Sequence, residues 1–377
     1  METTSANTES QPLIKKRSFW AAIIFNFLCT GLGHLYCGKP KRGIVIYIVS
    51  MFTFTILIVL LNFSPNIYVL ALTLLASLFY IIFIIVDLIK IASKNKEYKL
   101  QPYNRWFVYV GIIFLSIWPN SLLNLLAPEN YINPTGSMLN TVQLGDQFFV
   151  NESEYGIRKP FSNKYLIWFS KPQRGDVVSY IYPGGRDEIK PKDETKWLKR
   201  IIAVPGDTLQ ISNGHILING DLYVLPATSI VKSFTETPLK SPDPYIFPIN
   251  SGWNTDNYGP IIVPKEGDEI KLDVKNLEMW KVFMQREEEI EFETHGYQIF
   301  INGKESYTYK VKRNYYFVIG DNWYNSLDSR YTGFVPEDNI IGKVTMIYFS
   351  FDPEIPLAQL DKRIASIRWD RIGTIVK

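Results

Sequence analysis

The chain has 377 residues, 46% of them hydrophobic, with 40 Lys and Arg against 37 Asp and Glu for a net charge of +3. That balance gives no case for a nucleic-acid partner, and two cysteines (Cys29 and Cys37) with three histidines leave no disulfide framework, no Cys-based zinc site after residue 37 and no His-rich metal centre. An aromatic content of 15% excludes a disordered chain, and two charge-free runs, 43–86 and 106–128, exclude a purely soluble enzyme, since ~20 apolar residues cross a bilayer.

Residues 1–17 read as a polar cytoplasmic tail ending in Lys15, Lys16 and Arg17. The membrane region is expected over 18–126, with spans at 43–62, 67–90 and 106–126. The basic loop holding Lys90, Lys94, Lys96, Lys99 and Arg105 belongs inside, and the uncharged loop 63–66 outside. The last span then delivers everything after Pro128 to the outer face. The apolar stretch 19–37 is basic on both flanks and contains Gly31, Gly33 and His34. An embedded, re-entrant segment accommodates those residues better than a clean span. A fourth span with the N-terminus outside, or a cleaved signal peptide, are the alternatives. The stretch GLGHLYCGKPKRG (31–43) looks like the glycine-rich signature of small two-helix membrane modules of bacteria.

Beyond Pro128 the texture changes to short β-like runs broken by Pro, Gly and Asn, such as GDVVSYIYP, WLKRIIAVPGD and YYFVIGDN. This predicts a mainly β exported domain over 127–377. Residues 273–288 carry a helical pattern with Leu277, Trp280, Phe283 and Met284 on one face. HILINGDLYV and YQIFINGKESY echo each other as two Asn-Gly hairpins. Residues 226–313, rich in Pro, Asp and Lys, read as a non-catalytic inserted subdomain.

Three segments of the exported part hold candidate chemistry. NPTGSMLNTVQLGD places Thr135, Gly136 and Ser137 in a row, about ten residues past the last span. A Ser amide with a nearby Thr hydroxyl suits an oxyanion hole; Ser and Thr beside a Pro-Gly turn are equally ordinary turn residues. In KWLKRIIAVPGD, strand alternation puts Lys199 with Trp197, Ile201 and Ala203, and Arg200 with Leu198, Ile202 and Val204. A lysine among apolar groups loses affinity for its proton and becomes a general base; at a sheet edge it would instead reach to water. YYFVIGDNWYNSLDSRYTGFVP packs Asp321, Asn322, Asn325, Ser326, Asp328, Ser329 and Arg330 between apolar residues. Asp328 and Arg330 are spaced to pair, and Ser326 is a candidate hydrogen-bond partner for a lysine amine.

In this order and behind a membrane anchor, PTGSM, RGDVV, LKRIIAVPGD, GDNWYNSLDSRYTGFVP and IIGKV resemble the bacterial type I signal peptidases, membrane-bound Ser/Lys proteases that remove signal peptides. The resemblance implies a signal-peptidase-like β fold with an inserted subdomain, anchored by N-terminal transmembrane α-helices. It implies Ser137 as nucleophile and Lys199 as general base. The Ser137 amide and Thr135 hydroxyl would form the oxyanion hole, Ser326 would orient the lysine, and Asp328 with Arg330 would form a structural ion pair. Asn133, Met138, Val142, Trp197 and Leu198 are the candidate substrate-binding residues. No cofactor or metal is implied. The expected partners are the signal peptides of exported preproteins and the lipid bilayer. The expected location is the bacterial inner membrane, multi-pass, with the catalytic domain on the periplasmic face. Three departures stand out: Asn133 where an apolar residue is usual, Asn140 where proline is common, and Trp323-Tyr324 in place of Arg-Asp.

Overall fold

The computed structural model describes residues 14–15, 17–94, 98–124, 129–159, 162, 164–230 and 241–377. The tail at 1–13, the end of the third expected span at 125–126 and residues 231–240 of the expected insertion lie outside them. The chain divides into two units, Met1–Ala127 and Pro128–Lys377.

The first unit is helical. Residues 19–37 form two short helices, α1 (Phe19–Leu28) and α2 (Leu32–Tyr36). The break falls at Gly31, at φ 89°. A Cβ there would lie 2.2 Å from the Gly43 carbonyl oxygen, so glycine serves both the left-handed turn and the close approach. Next come α3 (Pro40–Phe63), opened by a proline in its first turn, and α4 (Ile67–Lys94). Both contain a stretch long and apolar enough to cross a bilayer, Pro40–Leu61 and Ile67–Lys94. Phe52, Leu74 and Phe79 on them are exposed, a surface suited to hydrocarbon rather than water. α5 (Trp106–Asn124) covers most of the third expected span.

One polar cluster interrupts this apolar unit. Asp87 of α4 accepts a hydrogen bond from Arg42 of α3 at 2.6 Å and lies 3.0 Å from Nε2 of His34 on α2. His34 is fully buried and Asp87 nearly so. A carboxylate in such surroundings persists only when paired, so the cluster clips the glycine-rich hairpin and α3 onto α4.

The second unit is built on a seven-stranded sheet. Its strands in chain order are β1 (Glu129–Ile132), β2 (Asp146–Asn151), β3 (Val177–Ile181), β4 (Lys196–Ala203), β5 (Tyr315–Ile319), β6 (Val335–Pro336) and β7 (Ile340–Ser350). Their spatial order is β6-β5-β4-β3-β7-β2-β1, with antiparallel pairing throughout. The long β7 shifts register once against β3 and twice against β2. Such bulges bend a strand and raise its twist. The sheet curls into a half-barrel as a result: Lys196 of β4 reaches Tyr131 of β1 at 2.6 Å, although three strands lie between them.

A second sheet orders Asp221–Tyr223, His215–Ile218, Thr208–Ser212 and Tyr258–Ile262. The echoed Asn-Gly pairs, Asn219-Gly220 and Asn302-Gly303, both turn hairpins with positive φ at each residue. The expected helix is α6 (Leu277–Glu287), which buries Leu277, Phe283 and Met284. Residues 226–313 are not self-contained. Tyr258–Ile262 pairs with Thr208–Ser212, and one apolar cluster joins Leu277 and Phe283 to Ile202, Leu209, Phe317 and Phe334.

The Asp87 cluster is testable because both cysteines, Cys29 and Cys37, are buried in the first unit. Asp87→Ala leaves His34 and Arg42 without their carboxylate, a loss of about 2 kcal/mol once the exposure of Arg42 is allowed for. Thiol labelling during heating of the detergent-solubilised protein should show a lower midpoint for the variant. An unchanged midpoint would remove the clip.

Candidate active site

Ser137 follows β1 in a turn, and Lys199 lies in the middle of β4. The half-barrel brings them together: Lys199 Nζ donates to Ser137 Oγ at 2.8 Å and to the Leu198 carbonyl at 3.0 Å. Lys199 is 4% exposed and Ser137 7%. Burial lowers the Lys199 pKa from 10.5 to about 8; Asp328 and Asp321 pull it up and Arg330 pushes it down. A good part of the amine is therefore neutral near pH 8, with its lone pair available to the serine hydroxyl. Thr135 Oγ1 stands 3.4 Å from Ser137 Oγ.

Two loops meet at this pair, one after β1 and one after β5. The Asn322 amide N–H donates to the Ser137 carbonyl at 2.9 Å, and Asn322 Nδ2 donates to the Gly136 carbonyl at 2.9 Å. Asp328 and Arg330, both fully buried, form a two-pronged ion pair at 2.9 and 2.8 Å. Asp328 also accepts from the Gly320 amide at 3.1 Å, and Arg330 donates to the Trp323 carbonyl at 2.7 Å. The expected Asp328–Arg330 contact is thus present. The Ser326 contact with the lysine is not: Ser326 Oγ is buried and has no hydrogen-bond partner among the described residues.

A second buried ion pair escaped sequence reasoning. Arg200, next to the lysine, grips Asp321 through two bonds of 2.8 and 2.6 Å, and both are 1% exposed. Thr141 donates to the same carboxylate at 2.5 Å. The available signal was Arg200 itself: an arginine inside an apolar strand demands a carboxylate.

Around Ser137 and Lys199 lies a cavity of about 640 Å³. Of the candidate substrate-binding residues, Asn133, Trp197 and Leu198 line it, together with Tyr131, Phe148, Lys196, Asn325 and Leu327. Met138 and Val142 do not line it. Both are fully buried in the apolar cluster with Phe148, Val150 and Val344. Apolar character alone did not separate a wall of the cavity from the core behind it.

The three departures have local causes. Asn133 is 3% exposed; its Nδ2 donates to the Val142 carbonyl at 2.8 Å and its Oδ1 accepts from the Thr135 amide at 3.3 Å, so it braces the turn that carries Ser137. Asn140 has φ 74°, a conformation closed to proline. Trp323 and Tyr324 both hydrogen-bond Asp256 at 3.2 Å, and the Trp323 ring lies 4.3 Å from the Arg330 guanidinium. The residues in place of Arg-Asp thus tie the site loop to the segment 226–313.

Comparison with known proteins identifies the family of the chain. The family model described as "Signal peptidase, peptidase S26" matches residues 103–349. The signal peptidase I of Buchnera aphidicola subsp. Acyrthosiphon pisum is 32% identical over 297 residues, covering 75% of this chain and 84% of that protein. That of Pseudomonas fluorescens is 30% identical over 300 residues, covering 77% and 84%. Among solved structures, a signal peptidase I from Enterococcus faecalis V583 aligns at 20% identity with a TM-score of 0.24, covering 47% of this chain and 98% of that one. With a family match over most of its length and relatives at this level of identity, the chain belongs to the signal peptidase family S26 and is a serine peptidase.

Proposed function

We propose that the chain cleaves signal peptides from exported preproteins by a Ser/Lys acyl-enzyme mechanism. The observation that carries this reading is the 2.8 Å contact between Ser137 Oγ and a buried Lys199 amine whose pKa is lowered to about 8. The neutral amine takes the hydroxyl proton as Ser137 Oγ attacks the scissile carbonyl. The oxyanion is met by the Ser137 amide and the Thr135 hydroxyl. Lys199 returns the proton to the leaving amine, and the acyl-enzyme forms. A water then gives up a proton to Lys199 as it attacks the acyl carbon, and Lys199 passes that proton to Ser137 Oγ as the acyl–oxygen bond breaks, restoring the serine hydroxyl and the neutral amine. Asp328, Arg330 and Asp321 act on the lysine through their charges, without touching substrate. The cleavage segment binds extended in the cavity, with Asn133, Trp197 and Leu198 against it.

In this reading the protein is a multi-pass component of the bacterial inner membrane. α3, α4 and α5 are its spans, and the catalytic unit lies on the periplasmic face, where preproteins emerge. Support comes from two helices of spanning length, the basic loop after α4, and the short interval between the last apolar run and Ser137.

Two measurements test the mechanism. Ser137→Ala and Lys199→Ala should each lower cleavage of a labelled preprotein in detergent by ~10³-fold or more; activity retained in purified Ser137→Ala refutes the nucleophile. Because burial lowers the Lys199 pKa and the base must be neutral, kcat/KM should rise with pH and level off above about 8. Below that it should fall about tenfold per unit, as the amine takes up its proton. A flat profile from pH 6 to 9 counts against a lysine base.

A further inference from the structure

The glycine-rich stretch 31–43 is not accounted for by the chemistry at Ser137. A cavity of about 330 Å³ lies beside its Gly31–Gly43 contact, walled by the α1–α2 break, the start of α3 and the middle of α5. Of its lining residues, Cys29 and Leu32 are buried while Ile44 and Leu115 are exposed, so it opens on the surface of the helical unit. Ser116 lines it with a hydroxyl that donates to the Ile113 carbonyl at 2.7 Å. Tyr47 lines it too, and the Tyr47 hydroxyl is buried with no hydrogen-bond partner among the described residues. Lys39 and Lys41 flank Pro40, another lining residue. Both lysines are exposed, and neither forms an ion pair among the described residues.

We infer that this cavity binds one anionic phospholipid, with an acyl chain inside it and the phosphate against Lys39 and Lys41. The inference rests on α3 and α5 being spans, part of the reading above, and not on the peptidase chemistry. Size favours a lipid chain over a peptide. A cavity of about 150 Å³ holds a benzene ring; at about 330 Å³ this one holds a segment of one acyl chain. An α-helix 10–12 Å across fills roughly 400–600 Å³ per turn, too much to enter. Depth agrees. Ile44 and Tyr47 stand 4 and 7 residues beyond Pro40, and Ile112 and Leu115 stand 6 and 9 beyond Trp106. At about 1.5 Å per residue all four lie within ~14 Å of their helix starts, inside one leaflet. In the orientation above that is the cytoplasmic leaflet, whose surface is negative. Charge selects the headgroup, since two lysines without acidic partners border the cavity at its Pro40 end. A phospholipid also brings ester carbonyls, the kind of acceptor that the Tyr47 hydroxyl lacks in an apolar wall.

Native mass spectrometry of the full chain in neutral detergent, titrated with phosphatidylglycerol or phosphatidylcholine of identical chains, counts the bound lipid. Wild type should hold one phosphatidylglycerol about tenfold or more tightly than phosphatidylcholine, as two lysines beside one phosphate imply. Lys39→Gln combined with Lys41→Gln should erase the preference. Ser116→Phe, which fills the cavity, should weaken both lipids alike; if it melts below wild type, Leu115→Trp at the exposed lip takes its place. Cys29 gives an independent readout, because it lines the cavity and Cys37 does not. In vesicles of equal parts phosphatidylcholine and phosphatidylglycerol, N-ethylmaleimide should label Cys29 several-fold more slowly than in phosphatidylcholine alone, with Cys37 unmoved. The inference falls if wild type binds the two lipids alike, if the lysine variant keeps the preference, or if filling the cavity leaves binding unchanged. It also falls if both cysteines respond together, which would mark a general effect of surface charge, or if a signal peptide protects Cys29 where phosphatidylglycerol does not. Should alkaline carbonate strip the chain from vesicles, the spans fail and take the inference with them. A chain that stays in the bilayer without preferring phosphatidylglycerol overturns the inference alone.

Discussion

Everything in the catalytic unit depends on keeping one lysine amine dry. An ammonium in water holds its proton to pH 10 and beyond; only withdrawal from solvent lets Lys199 give it up near pH 8. Burial alone does not suffice, because a nearby carboxylate would return the proton affinity that desolvation removes. Asp328 and Asp321 both act on the lysine in that direction. Each is held by its own arginine, Asp328 by Arg330 and Asp321 by Arg200. Charge beside charge leaves a small net field at the amine, and desolvation prevails.

The same two pairs fix the geometry. Arg200 sits on β4 beside the lysine, and Asp321 opens the loop that touches the Ser137 turn. Asp328 and Arg330 fold the far end of that loop back on Gly320 and Trp323. Breaking such a buried pair by removing one partner costs about 3–5 kcal/mol, so the loop has little freedom to drift. The segment 226–313 contributes here as well. Through Asp256 it grips Trp323 and Tyr324, and through its apolar face it shares the core beneath β5. It is part of the scaffold that keeps the site rigid.

The sequence made some of this readable and hid the rest for physical reasons. Strand alternation put Lys199 and Arg200 on opposite faces, and the ordered motifs pointed to Ser137 as the lysine's neighbour; the 2.8 Å contact joins them. The Asp328–Arg330 pair was legible because two residues of a tight turn cannot escape each other. Arg200–Asp321 was not, since 121 positions separate its members and only the folded sheet brings them together. Met138 and Val142 were placed in the cavity because apolarity reports burial without saying on which side of a wall. The insertion looked separate because its pairing with Thr208–Ser212 leaves no local trace. Asn140 looked like a simple exchange for proline until its positive φ showed that the backbone itself differs there.

The Ser137 turn and the loop after β5 can meet so closely only because residue 320 has no side chain. A Cβ on Gly320 would lie 2.2 Å from Ser326 Oγ and 2.6 Å from the Ser137 carbonyl oxygen. Neither distance is sustainable, and the second involves backbone that cannot swing aside. The glycine is required for space and not for an unusual φ, since it is absent from the left-handed positions. Its amide is meanwhile fixed by Asp328. Backbone thus stands where the two loops meet, against the Ser137 carbonyl and Ser326. A Cβ at 320 would push the Ser137 turn outward and lengthen the 2.8 Å Ser137–Lys199 contact. The close approach of Ser137 to the lysine therefore has a steric requirement at a residue that touches neither side chain of the pair.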